Sequence, residues 1–122
     1  MAQLLEKKIA IGADIGGSHI SCAAVDMSEH KILQHTYSII DVDNKAAANE
    51  IIALWCSAIQ QTMKKAGISE PLGIGLAMPG PFDYVRGIGL FKGVEKFDNL
   101  NGVMVAEKIS STMAFKNPVP VR

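Results

Sequence analysis

A chain of 122 residues, 48% hydrophobic and 20% charged, has the make-up of one globular domain. Lys and Arg together number 12, as do Asp and Glu, so net charge gives no case for nucleic acid or an anionic membrane as partner. No apolar run is long enough to span a bilayer, and Met1-Ala-Gln-Leu-Leu-Glu-Lys-Lys8 lacks the positive-then-apolar order of a secretory signal; a cytoplasmic protein is expected.

Strands are expected over about 8–13, 19–26 and 31–39, the last two joined by the polar turn Met27-Ser-Glu-His30. The spacing leaves no room for crossover helices, so these strands form an antiparallel series. A helix fits 44–66, with Asp43 or Asn44 to cap its start and Gly67 to end it. Ala48, Ile51, Ile52, Trp55, Ile59 and Met63 recur at helical spacing and place Trp55 in the core-facing stripe rather than at a ligand.

Gly73-Ile-Gly-Leu-Ala-Met78 reads as a short strand, ended by Pro79-Gly80-Pro81. Tyr84-Val-Arg-Gly87 is a turn, Ile88-Gly-Leu-Phe91 a brief strand, and 103–115 a helix stopped by Asn117-Pro118. Val119-Pro-Val121 opens a further strand. Cys22 falls in a strand and Cys56 in a helix, outside any CxxC pair, and both read as reduced core residues. His19, His30 and His35 have no metal-ligand spacing, so no structural zinc is expected in this segment.

The stretch that carries chemistry is Asp14-Ile-Gly-Gly-Ser18. Its glycine spacing is not that of a dinucleotide fingerprint, and a strand follows where that motif needs a helix. The P-loop arrangement is absent too. A strand that delivers a carboxylate to a glycine turn can hold a polyphosphate: Gly16 and Gly17 allow close backbone approach, Ser18 adds a hydroxyl, and Asp14 orders Mg²⁺ directly or through water. The competing reading is a tight hairpin whose Asp14 only accepts backbone hydrogen bonds.

Asp14-Ile-Gly-Gly-Ser18-His-Ile20, Gly73-Ile-Gly-Leu-Ala-Met-Pro-Gly-Pro-Phe-Asp83, and Gly87-Ile with Lys92-Gly and Phe97-Asp-Asn-Leu together resemble the N-terminal part of the ROK family of sugar kinases and sugar-responsive repressors. The resemblance runs from Ile9 over nearly the whole chain. It implies an α/β lobe of ribonuclease-H-like (actin-like ATPase) fold, a mixed sheet opening with antiparallel strands and flanked by helices. It also implies ATP and Mg²⁺ at Asp14, Gly16, Gly17 and Ser18, with a sugar near Gly80 and Asn99. Ser18 stands where the family prefers Thr and keeps the hydroxyl. Phe97-Asp98-Asn99-Leu100 departs from the family's Asn and Trp in this region. Asp83 has two readings, a sugar-hydroxyl contact or a brace for its own turn.

The implied activity is transfer of ATP's terminal phosphoryl group to a hexose or related sugar. The family's catalytic aspartate belongs to an Asn-Asp pair expected just beyond Arg122, so no catalytic residue is assigned within 1–122. On this reading residues 1–122 are an N-terminal lobe cut before that pair and before a C-terminal lobe with the family's zinc site. The isolated lobe is then inactive, and the complete protein an oligomer. The alternative is a sugar-responsive regulator or a non-catalytic sugar-binding protein. The first strand begins within about ten residues of Met1, leaving no room ahead of it for a DNA-binding module, so direct nucleic-acid recognition is not expected.

Overall fold

The computed structural model describes residues 8–93 and 96–122. Residues 1–7, where the sequence lacks a secretory pattern, and Val94 and Glu95 lie outside the described residues. The chain opens with β1 (Ile9–Ile15), β2 (His19–Asp26) and β3 (Lys31–Asp41), consecutive antiparallel neighbours. β2 has the expected bounds. β1 and β3 run two residues further because pairing persists to Ile15↔Ile20 and His19↔Asp41, leaving only residues 16–18 as the first turn. The β2–β3 register shifts between Cys22 and Ala24. There the Thr36 hydroxyl accepts the Ala24 N–H at 2.8 Å and donates to Leu33 O at 2.6 Å, standing in for a ladder bond.

A crossover helix, α1 (Ala48–Ala66), brings the chain back to β4 (Ile74–Ala77), which lies parallel to β1. The sheet order is β3-β2-β1-β4. Val121 bridges Ile74 on the outer side, with Ile74 N–H to Pro120 O at 2.9 Å and Leu76 N–H to Arg122 O at 2.7 Å, where a further strand was expected. The start of α1 corrects the sequence reading. Its N-cap is Ala47, without a side-chain hydrogen bond. Asp43 Oδ1 accepts the Lys45 N–H, and Asn44 reaches back to Gly17 O, so neither caps the helix. The end is as expected: Gly67 takes φ 71°, its N–H bonds Lys64 O, and Ile68 N–H bonds Met63 O.

Beyond β4, β5 (Phe82–Asp83) and β6 (Ile88–Gly89) form a small hairpin around the 84–87 turn. The helix expected over 103–115 is α2 (Val105–Met113), closed early by Ala114 at φ 51°. A 3-10 turn at Asp98–Leu100 has no signature in the sequence. Ile51, Ile52, Trp55, Ile59 and Met63 of α1 share one core with Ile11, Ala13, Ile20, Cys22 and Ile74 of the sheet. The alternate residues of the strands face the other way, where Gly12, Asp14, Ser21, Ala23, Gly75 and Ala77 line an open cavity of about 560 Å³.

Candidate functional site

Asp14 lies opposite Ala77 in the parallel β1–β4 pair, and His19 opposite Asp41 in β2–β3. The glycine turn, the loop after β3 and Pro79-Gly80-Pro81 therefore leave the sheet at one end. That end holds the carboxyl termini of the parallel strands, where open α/β sheets place their ligands.

In the glycine turn, Gly16 N–H donates to His19 O at 2.9 Å, and Val42 N–H donates to Ser18 O at 2.8 Å. Gly16 thus closes the hairpin with its own N–H and offers a ligand proximity rather than a donor. The Gly17 and Ser18 N–H groups have no acceptor among the described residues. Neither glycine has a positive φ. Crowding does not demand them either: a Cβ on Gly16 would meet His19 O at 3.5 Å, and one on Gly17 would meet Lys96 Cδ at 3.5 Å, both ordinary contacts. Gly87 and Gly89 are a contrast. Gly87 has φ 68° and a Cβ there would sit 2.6 Å from Ala106 Cβ, while one on Gly89 would sit 2.8 Å from Leu100 O. The fold itself requires those two; nothing among the described residues requires Gly16 and Gly17. Asp14 and Ser18 are exposed beside them.

Pro79-Gly80-Pro81 is held from both sides. The Tyr84 hydroxyl accepts the Met78 N–H at 2.8 Å and donates to Met78 O at 3.2 Å, and Leu90 N–H donates to Pro81 O at 3.1 Å. Gly80 between these anchors has no atom within 4 Å of a would-be Cβ and no positive φ. Asp83 braces its own turn: Oδ1 accepts the Val85 and Arg86 N–H groups at 3.0 Å, and Oδ2 pairs with Arg86 Nε at 2.8 Å. The Arg86 side chain holds the Asp83 carboxyl below its usual range, helped by the Arg86 N–H. A depressed pKa means stability present above the unfolded value, about 3.9, and lost as pH falls through the folded one. Asp83→Asn should therefore flatten the fall of melting temperature below about pH 4, an effect that a thermal scan across pH reads directly.

Asn99 Nδ2 donates to Lys45 O at 3.1 Å and Ala46 O at 3.0 Å, so its amide fastens the 3-10 turn to the loop after β3, and only its carbonyl oxygen is left for a ligand. That loop is itself tied to the glycine turn through Asn44 Nδ2 and Gly17 O. Phe97 is buried, edge-on to Trp55 with centroids 5.6 Å apart, and its N–H bonds Asn44 O at 3.1 Å. Asn44, Tyr84 and Lys96 were not read as site residues. Asn44 and Lys96 meet their partners across the fold, whereas Tyr84 bonds Met78 six residues back; only Asn44, taken for a cap, was given a role of its own in the sequence reading.

Trp55, Cys22 and Cys56 are buried in the core. Burial pushes the Cys22 thiol up to about 12 and Cys56 to about 11, so neither is a ready nucleophile. Among the described residues no group of three or more His, Cys, Asp or Glu is placed to cage a metal, and no helix is long and apolar enough to cross a membrane.

No family model matches the sequence, and no curated protein matches it. Solved structures do. A ROK family glucokinase from Streptomyces griseus, in complex with glucose and AMPPNP, matches 93% of this chain at 25% identity and a TM-score of 0.67. An inorganic polyphosphate/ATP-glucomannokinase from Arthrobacter sp. strain KM matches 93% at 17% identity and a TM-score of 0.72. A ROK family transcriptional regulator, a homologue of the E. coli MLC protein, matches 93% at 16% identity and 0.69. The match spans 31%, 43% and 26% of those three chains, respectively. The chain shares the ROK sugar-kinase fold superfamily, with the mixed, helix-flanked sheet of an actin-like ATPase lobe.

Proposed function

We propose that the chain is the phosphate-holding lobe of an ATP-dependent sugar kinase that phosphorylates a hexose or related sugar. The observation that carries this reading is the pair Gly16-Gly17: nothing among the described residues requires glycine there, yet the pair adjoins the exposed Asp14 and the N–H groups of Gly17 and Ser18, which have no acceptor among the described residues. Space without a side chain, at the carboxyl end of a parallel strand pair, suits the close approach of a phosphate chain.

The donor set suits Mg²⁺. One exposed carboxylate and a hydroxyl make no all-protein cage, and Mg²⁺ commonly keeps several waters while binding one or two carboxylates and the substrate's phosphates. When bound it would offset phosphate charge. Asp14 would hold it, directly or through water; Gly17 and Ser18 would donate to phosphate oxygens. Gly80 would admit the sugar, with the Asn99 oxygen and Asp83 as secondary candidates. No residue of this chain is assigned as the base that accepts the sugar hydroxyl proton. That aspartate, a zinc site and the adenosine contacts belong on this reading to a second lobe, and oligomerisation to the complete enzyme. The ROK regulator shares the fold, so fold does not choose between kinase and sensor. An exposed carboxylate beside the glycine turn favours the kinase, since sensing a sugar calls for no group to hold a metal.

The 122-residue chain, given ATP, Mg²⁺ and a panel of hexoses and acetylated amino sugars, is expected to bind Mg·ATP and phosphorylate none of them. Robust turnover by the chain alone would overturn the incomplete-site reading. Failure to bind Mg·ATP in calorimetry would overturn the phosphate-lobe reading.

A further inference from the structure

Lys96 comes beside the glycine turn from almost eighty positions along the chain. A methyl group built on Gly17 would lie 3.6 Å from its Nζ and 3.5 Å from its Cδ. The next residue in the chain anchors Lys96 there. Phe97 takes the left-handed conformation at φ 56°, unfavourable for a side chain of its size, and is held so by Trp55, by Phe91 at 5.7 Å, and by its N–H bond to Asn44 O. Asn99 adds two bonds to the same loop, and Asn44 joins that loop to Gly17 O. A cleft of about 210 Å³ opens beside the turn, lined by Asn44, Lys45, Lys96, Phe97, Asp98 and Asn99. Among the described lining residues the charged groups are two ammoniums and one carboxylate, a balance that favours an anion.

The phosphate reading leaves an electrostatic gap that this arrangement fills. Asp14 adds negative charge to a site meant for a polyanion, and a few N–H dipoles offset only part of the total. We infer that Lys96 is a phosphate-contacting residue: its ammonium, set against Gly17, binds an outer oxygen of a phosphate chain lying across the turn, with Lys45 extending the positive side into the adjoining cleft. The ligand class is an oligophosphate, either the tail of a nucleoside triphosphate or inorganic polyphosphate. The inference rests on the phosphate reading of the turn and adds to it a cation that no sequence motif marks.

Sodium tripolyphosphate and ATP, each with Mg²⁺, serve as probes in calorimetric titrations of the 122-residue chain at low salt. Lys96→Gln is expected to weaken both roughly fivefold, the scale of one exposed charge pair. Lys96→Arg should keep the affinity within about twofold of wild type, since the charge and donors remain. Lys31→Gln, the same charge change at the far end of the β2–β3 pair, should leave it unaltered. ATP weakened with tripolyphosphate untouched would mean that Lys96 meets the nucleoside, and would overturn the inference. Equal affinities for Lys96→Gln and wild type would overturn it while leaving the glycine-turn reading intact. Absence of binding by the wild-type chain would overturn both.

Discussion

Trp55→Ala is expected to remove about 3–5 kcal/mol of folding stability, the usual cost of emptying a large aromatic site. Trp55 is fully buried near the middle of α1, within the stripe that covers the sheet. A domain of this size has about 5–15 kcal/mol in total, so the variant loses a large share. The loss extends beyond the core. Phe97 leans edge-on against the Trp55 ring, and Phe97 sets the position of Lys96 beside Gly17. Trp55→Phe, which keeps an aromatic platform, should retain much of the stability. It also removes a buried indole N–H that has no partner among the described residues. Urea denaturation followed by circular dichroism is the suitable measurement, because Trp55 is the chain's single tryptophan and its fluorescence goes with it. A loss below about 1 kcal/mol, the level of a mild surface change, would show that α1 does not anchor the core through this residue.

Asp14→Asn is expected to abolish most of the Mg²⁺-dependent gain in ATP affinity. The side chain keeps its size and loses its charge, so the sheet should be undisturbed: Asp14 is exposed, and its backbone pairs with Ser21 and Ala77. A group that holds a metal directly or through water typically costs roughly 10- to 100-fold in metal affinity or activity when replaced. The diagnostic is the difference between titrations with and without Mg²⁺. If Asp14 only braced a hairpin, the substitution would change stability and leave that difference alone.

The readable parts of this protein were those set by local periodicity. The Ile51–Met63 stripe of α1 follows from spacing alone, and Gly67 marks its helix end by the conformation only glycine takes freely. The glycine turn was legible because Asp14, Gly16, Gly17 and Ser18 are contiguous. Errors arose where a polar side chain had a distant partner. Asn44 looks like a helix cap, but its amide goes to Gly17, 27 residues back; Asn99 goes to Lys45 and Ala46, more than 50 residues back. No local pattern separates such an asparagine from one at a cap or a ligand. Lys96 is silent for the same reason: a lysine in a polar loop acquires its meaning only when the fold sets it against a glycine.

The claim that Gly16-Gly17 is an opening for phosphate is tested most directly by amide chemical shifts of ¹⁵N-labelled chain titrated with Mg·ATP. Saturable shifts are expected at Gly17 and Ser18, whose N–H groups have no acceptor among the described residues, with residues 26–31 at the opposite end of the sheet unmoved. Shifts confined to that opposite end or to the groove around Glu70 and Lys116, or no shifts at all, would contradict it.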